Sequence, residues 1–236
     1  MSFSLVCLPF AGGGAGFYRA WPKDRTAEVR VVALQLPGRE ERFGDAPFTD
    51  VRVAARRLVE DLRRRVPADG PVALFGHSLG AVLAYEMARE LEEQGAAGLC
   101  HLFVSGSPGP WTSRDERATG LDDDSFVEQV SRFAGYRHSA LDQPALRDVL
   151  LPTLRADVEM HENYKPSSSE PLSVPITTLR GADDGLVPRE QCAQWSAATR
   201  GGFTSLELPG GHMYVADDAS RVLDTVAEVL CPGSGR

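Results

Sequence analysis

The stretch that most constrains this chain runs from residue 72 to residue 93. Val72-Ala73-Leu74-Phe75 is a short apolar run that leads directly into Gly76-His77-Ser78-Leu79-Gly80. The residues that follow, Ala81–Glu93, carry apolar side chains at helical spacing and end at Gly95. A strand that turns straight into a helix around G-x-S-x-G is a tight geometry. Glycines at 76 and 80 remove side chains where strand and helix crowd together. The serine is then held at the carboxyl edge of a sheet, facing a cleft. The N–H groups that open the next helix point at the same spot and favour negative charge developing there. The five-residue pattern alone is common. A strand before it and a helix after it make it the signature of a nucleophilic serine, Ser78.

The same alternation extends along the chain. Leu5–Phe10, Val31–Leu36, Leu99–Ser105, Ile176–Leu179 and Ser205–Leu208 are short runs, apolar on both faces, as buried parallel strands are. Val53–Val66 and Arg221–Leu230 have helical period. The expectation is an α/β fold with a mostly parallel central sheet flanked by helices, in a single domain over 1–236. One segment breaks the rhythm: about 115–171 holds no convincing strand. Within it, Asp122–Ala134 reads as a helix with acidic residues in its first turn. Ala145–Tyr164 reads as a second helical stretch, interrupted early by Pro152.

A nucleophilic serine needs a base, and the base needs an orienting carboxylate. In this fold class they follow in the order serine, acid, histidine. The run Ile176–Leu179 is followed by Arg180-Gly181-Ala182-Asp183-Asp184-Gly185-Leu186-Val187, and Ser205–Leu208 by Pro209-Gly210-Gly211-His212. Both sit just past the carboxyl end of a strand, where α/β sheets place their sites. Of the five histidines, His77 precedes the acid, His101 opens a strand, and His138 and His161 fall in the helical insertion. His212 is left as the base. Asp183 and Asp184 are adjacent candidates for the acid; Asp184 is favoured, with Asp183 as its turn-forming neighbour.

The first strand ends in Leu8-Pro9-Phe10-Ala11-Gly12-Gly13-Gly14-Ala15-Gly16. Such a loop can offer a backbone N–H to an oxyanion. Ala11 is the expected donor, with Leu79, the residue after the nucleophile, as the second. A nucleotide-binding loop is excluded by the residues themselves. No G-K-[ST] follows, and the last glycine of G-x-G-x-x-G would fall on Arg19 or Phe17.

Bulk properties exclude other classes. The net charge of −8 argues against nucleic acid as a partner. No apolar run is long enough to span a bilayer, and no basic residue precedes Arg19, so neither membrane nor signal peptide is expected. The cysteines, Cys7, Cys100, Cys192 and Cys231, form no C-x-x-C pair and fit no zinc spacing. No metal or cofactor and no disulfide framework are expected, which suits a cytoplasmic protein. Cys7 and Cys100 are read as small buried hydrophobes.

Taken together, Leu8-Pro9-Phe10-Ala11-Gly12-Gly13, Leu36-Pro37-Gly38-Arg39-Glu40-Glu41-Arg42, Gly76-His77-Ser78-Leu79-Gly80 and Gly210-Gly211-His212 resemble the type II thioesterases. These are free-standing editing enzymes of polyketide and nonribosomal peptide assembly lines. The likeness covers essentially the whole chain. It implies the α/β-hydrolase fold, with the helical insertion as a lid, and a triad of Ser78, Asp184 and His212. The family's G-x-x-D-x-x-V, here Gly181–Val187, supports Asp184 over Asp183. It also implies a substrate: an acyl group held as a thioester on the phosphopantetheine of an acyl or peptidyl carrier protein that docks transiently. The family often has aromatic residues directly after the histidine; here Met213 comes first and Tyr214 second. That departure bears on pocket shape.

A general carboxylesterase would share every one of these residues, and a non-catalytic binding protein could share the fold. Met1 stands directly before the first strand, so a stand-alone protein, expected as a monomer, is favoured over a release domain. Phe126, Val130, Phe133, Leu146, Leu150, Leu151 and Leu154 are expected either to pack the lid or to line an acyl channel. Arg114, Arg117, Arg132 and Arg137 are candidate cations for docking an acidic carrier.

Overall fold

The computed structural model describes residues 2–22, 28–67, 70–96, 98–112, 116–135 and 139–233. Six strands form one sheet: β1 (Phe3–Leu8), β2 (Val29–Ala33), β3 (Val72–His77), β4 (Leu99–Ser105), β5 (Ile176–Gly181) and β6 (Phe203–Leu208). Their order is β2-β1-β3-β4-β5-β6, and every neighbouring pair is parallel. The α/β expectation is met.

The helices are α1 (Ala15–Arg19), α2 (Val51–Arg65), α3 (Leu79–Glu93), α4 (Asp123–Ala134), α5 (Pro144–Glu162), α6 (Arg189–Ala193), α7 (Tyr214–Asp217) and α8 (Ala219–Leu230). Alternation along the strands builds a core on each face of the sheet. Val6, Leu8, Leu74, Leu102 and Val104 pack against α2 and α3. Leu5, Cys7, Ala73, Phe75 and Phe103 face Tyr18, Trp21, Val222 and Val226 on the other side. Cys7 is buried as expected, whereas Cys100 is only half-buried, with its thiol 3.2 Å from the Val72 carbonyl.

Strand ends differ from expectation by about two residues. β1 stops at Leu8 and β2 at Ala33; past Ala33 the Leu34 N–H still donates to the Cys7 carbonyl at 3.0 Å, and beyond that the chain turns into loops. Helix α2 starts at Val51, where the Asp50 side chain accepts from the Val53 N–H at 2.9 Å and caps the turn.

A larger correction concerns Pro152. Helix α5 runs through it without a break. The missing N–H deprives the Asp148 carbonyl of its partner, but that turn lies at the exposed end of the helix, where water can serve. Beyond it, Leu154, Val158 and Met160 are buried and, with Leu151, hold the helix in register.

Chain order sets the site. After β2 the chain crosses back to place β3 on the other flank of β1, so the sheet has its topological switch between β1 and β3. Leu8 is in register with Gly76, which brings the glycine loop and Ser78 out side by side. Gly181 pairs with Leu208, so the turns that carry Asp184 and His212 are neighbours at the same edge.

Candidate active site

Ser78 is held by the backbone. It joins β3 to α3 with φ 53° and ψ −117°, and only one other non-glycine residue among those described, Glu40, has a positive φ. That conformation is costly for an L-residue and persists only where the surroundings impose it. They do so here. A Cβ at Gly76 would lie 1.9 Å from the Gly80 carbonyl oxygen, and one at Gly80 would lie 2.5 Å from the Leu8 carbonyl oxygen. Both glycines are therefore required by close approach of strand and helix. The Ser78 N–H donates to the Ser105 carbonyl at 2.8 Å and ties the turn to β4.

His212 follows β6 through a turn in which Gly210 has φ 112°. Its Nδ1 lies 2.9 Å from Asp184 Oδ2, and both residues are buried. The other carboxylate oxygen, Oδ1, accepts the N–H groups of Leu186 at 2.9 Å and Val187 at 3.0 Å. Burial alone would raise the Asp184 carboxyl. The His212 hydrogen bond and charge, with the two backbone N–H groups, outweigh it and hold the group below the usual carboxylate range. Asp183 points elsewhere: it is exposed, and its backbone N–H donates to the Gly210 carbonyl at 2.9 Å.

Among the described residues no hydrogen bond joins the Ser78 hydroxyl to His212. The residue before Ser78, His77, has its ring centroid 4.8 Å from that of His212.

The glycine loop leaves few backbone donors open. Gly12 N–H donates to Asp157, Gly13 N–H to the Phe10 carbonyl, Ala15 N–H to Gln35 and Gly16 N–H to Glu40. The N–H groups of Ala11 and Leu79 have no hydrogen-bond partner among the described residues, and Leu79 opens α3.

Three features escaped sequence reasoning. First, His77 is fully buried with Nδ1 2.8 Å from Ser105 Oγ, which in turn lies 2.6 Å from the Tyr214 hydroxyl. Burial, then the neighbouring His212 charge, pushes His77 well below the usual histidine range and keeps it neutral. Second, Gly106 has φ 53°, and a Cβ there would lie 2.5 Å from His77 Cε1 and 3.1 Å from His212 Cε1. Third, Arg39 makes a buried fork to Asp157 of α5. Arg39 stands in the Leu36–Arg42 motif, but its partner was signalled only by a carboxylate between Leu154 and Val158 on an apolar helix face.

The apolar residues of the insertion divide. Phe126, Leu151 and Leu154 form its core with Ala118, Val127, Leu141 and Val158, and Val130 and Phe133 pack partly against them. Leu146 and Leu150 are exposed. Of the proposed docking arginines, Arg117 pairs with Glu162 at 3.4 Å and Arg132 with Glu116 at 2.7 Å. Arg114 and Arg137, like His138, lie outside the described residues. Among the described residues no cluster of three or more His, Cys, Asp or Glu could hold a metal ion, and no helix is long and apolar enough to cross a membrane.

Residues 3–230 match the family described as thioesterase domain. The chain is 35% identical over 229 residues to the probable cadicidin biosynthesis thioesterase of Streptomyces griseus, covering 97% of this chain and 62% of that relative. It is 34% identical to thioesterase TesA of Mycobacterium marinum, with 90% of this chain and 84% of the relative covered. Among solved structures, the type II thioesterase BorB from the borrelidin biosynthetic cluster superposes with a TM-score of 0.85 at 35% identity, covering 97% of this chain and 92% of BorB. YbtT, a type II thioesterase from the yersiniabactin pathway, gives 0.87 at 27% identity, covering 96% and 92%. The chain belongs to the thioesterase family, and it is a hydrolase of the α/β-hydrolase fold that acts on thioesters.

Proposed function

We propose that this thioesterase is a stand-alone, cytoplasmic editing enzyme. It removes acyl groups from the phosphopantetheine arm of acyl or peptidyl carrier proteins, using Ser78 as nucleophile, His212 as base and Asp184 as its orienting partner. The observation that carries this reading is the 2.9 Å Asp184–His212 pair, set at the sheet edge where Ser78 is held in a strained turn. The solved relatives named as type II thioesterases of biosynthetic pathways support the substrate class.

The chemistry has two halves. His212 Nε2 takes the Ser78 hydroxyl proton as Oγ attacks the thioester carbonyl, and the oxyanion rests on the N–H groups of Ala11 and Leu79. The C–S bond breaks, and the sulfur leaves with the proton from His212. A thiol pKa of about 8.5 means this leaving group needs little help. Water then loses a proton to His212 and attacks the acyl-enzyme. The acid departs, and the proton returns to Ser78 Oγ.

The test is hydrolysis of acyl-loaded carrier protein beside a p-nitrophenyl ester, with wild type and Ser78→Ala. Turnover that prefers the carrier thioester and is lost in Ser78→Ala is expected. Turnover of the simple ester alone would establish a general carboxylesterase, and full activity in Ser78→Ala would remove the triad assignment.

A further inference from the structure

Helix α5 belongs to the insertion, yet one of its faces is fastened to two loops of the sheet. Asp157 is 1% exposed and Arg39 9% exposed. Arg39 grips the carboxylate with both ends of its fork, Nη1 to Oδ2 at 2.6 Å and Nη2 to Oδ1 at 2.7 Å. Asp157 Oδ2 also accepts the Gly12 N–H at 2.8 Å, and Arg39 Nη1 donates to the Gly13 carbonyl at 2.8 Å. One turn earlier on α5, the Thr153 hydroxyl donates to the Gly38 carbonyl at 2.9 Å, and Leu154 Cδ1 lies 3.0 Å from where a Gly12 Cβ would stand. The charges thus bind three segments at once: α5, the loop that carries Arg39, and the glycine loop. The Ala11 N–H belongs to the Phe10–Ala11 peptide, whose carbonyl accepts the Gly13 N–H at 2.9 Å, so that peptide is anchored through Gly12 and Gly13, the two residues the ion pair holds.

We propose that Asp157 and Arg39 are positioning residues. They form a strut through which the insertion holds the glycine loop in the conformation that aims the Ala11 N–H at the reacting carbonyl. Seating of α5 and competence of the oxyanion site are then one event. The inference rests on the reading of Ala11 as an oxyanion donor. A ligand-binding role for the pair is disfavoured by its satisfied geometry, since both carboxylate oxygens and both guanidinium Nη atoms are engaged inside the protein.

The test compares Asp157→Asn, Arg39→Lys and the double variant Arg39→Met/Asp157→Leu, which removes both the acceptor for the Gly12 N–H and the donor to the Gly13 carbonyl. The double variant leaves no unpaired buried charge, so it folds where the single Asp157→Asn exposes the loss. In the folded double variant, amide exchange of residues 10–16 is expected to quicken about tenfold or more, as a local opening freed of its tether does. On acyl-carrier substrate, kcat is expected to fall by about tenfold to a hundredfold with KM little changed, the mark of a displaced oxyanion donor. Arg39→Lys keeps the charge but not the fork and is expected to fall between wild type and the double variant. Unchanged exchange in a folded double variant would overturn the strut. So would a raised KM with kcat intact, which would make the pair a wall of the acyl site. If Ser78→Ala kept full turnover, the functional reading would fail by itself, and the exchange measurement would still decide whether the strut exists.

Discussion

Helices α3 and α5 are the two long helices nearest the candidate site, and they are held in opposite ways. Twelve of the fifteen residues of α3 are buried, and its first turn is locked to β3 by backbone contacts that admit no side chain at Gly76. Only six of the nineteen residues of α5 are buried, all from Leu151 onward, and its seat combines one buried ion pair and a hydroxyl with the apolar packing of residues such as Leu154 and Met160. Its first half shows Leu146, Val149 and Leu150 to solvent. Ser78, the proposed nucleophile, therefore stands on a part of the molecule with high resistance to local opening, and the first half of α5 belongs to a part with less. The difference separates two tasks. Bond-making needs atoms fixed to a fraction of an ångström, and admission of varied acyl chains needs a surface that can yield.

The contrast can be broken most forcefully at Gly76. Gly76→Ala drives a methyl into the Gly80 backbone, and destabilisation of at least about 3 kcal/mol is expected in urea unfolding. Near wild-type stability would show that the elbow yields after all. Leu83→Ala, in the fully buried stripe of α3, is expected to cost about 3 kcal/mol, whereas Leu150→Ala on α5 should stay within about 0.5 kcal/mol. Equal effects in thermal melts would erase the distinction between the two helices.

Acid sharpens it next. His77 is buried neutral, and burial also lowers His101, to about 4. Both have folded pKa values below the ordinary 6.5, so between those limits the unfolded chain binds more protons. Stability is then full above about pH 6.5 and falls as pH drops, by up to about 1.4 kcal/mol per pH unit for each histidine. Urea unfolding across pH 7 to 5 should show that slope, and His77→Gln should flatten it. A wild type with no slope would place His77 outside the buried network. The smallest effect expected is a gain. Ser78→Gly removes the strain of a positive φ and should stabilise the fold by about 1 kcal/mol while abolishing turnover. Loss of stability instead would mean that the serine side chain holds the elbow together.

How much of this is legible in the sequence depends on the range of the constraint. The Ser78 elbow is local: five consecutive residues state the steric problem and its solution, so the amino-acid order suffices to read it. Asp184 and His212 are distant from Ser78 in the chain, but each follows a strand on its own turn, and chain order does the rest. The ends of β1 and β2 are less legible, because an apolar residue such as Leu36 is buried without lying in the ladder. Pro152 misleads because its local penalty is real; packing of the residues after it decides the matter. The Arg39–Asp157 fork joins positions 118 residues apart, and no local pattern reports such a meeting.

The insertion leaves the sheet at the end of β4 and returns at the start of β5, and these two strands are immediate neighbours. In grammatical terms it is a parenthesis: the sheet closes around it whatever its length. That makes it the natural unit to exchange between relatives when a different acyl preference is sought. The Arg39–Asp157 fork places a condition on the trade. A transplanted insertion must carry a carboxylate at the matching turn of its second helix, or Arg39 must be replaced along with it. Otherwise the host is left with a buried cation and a Gly12 N–H without its acceptor.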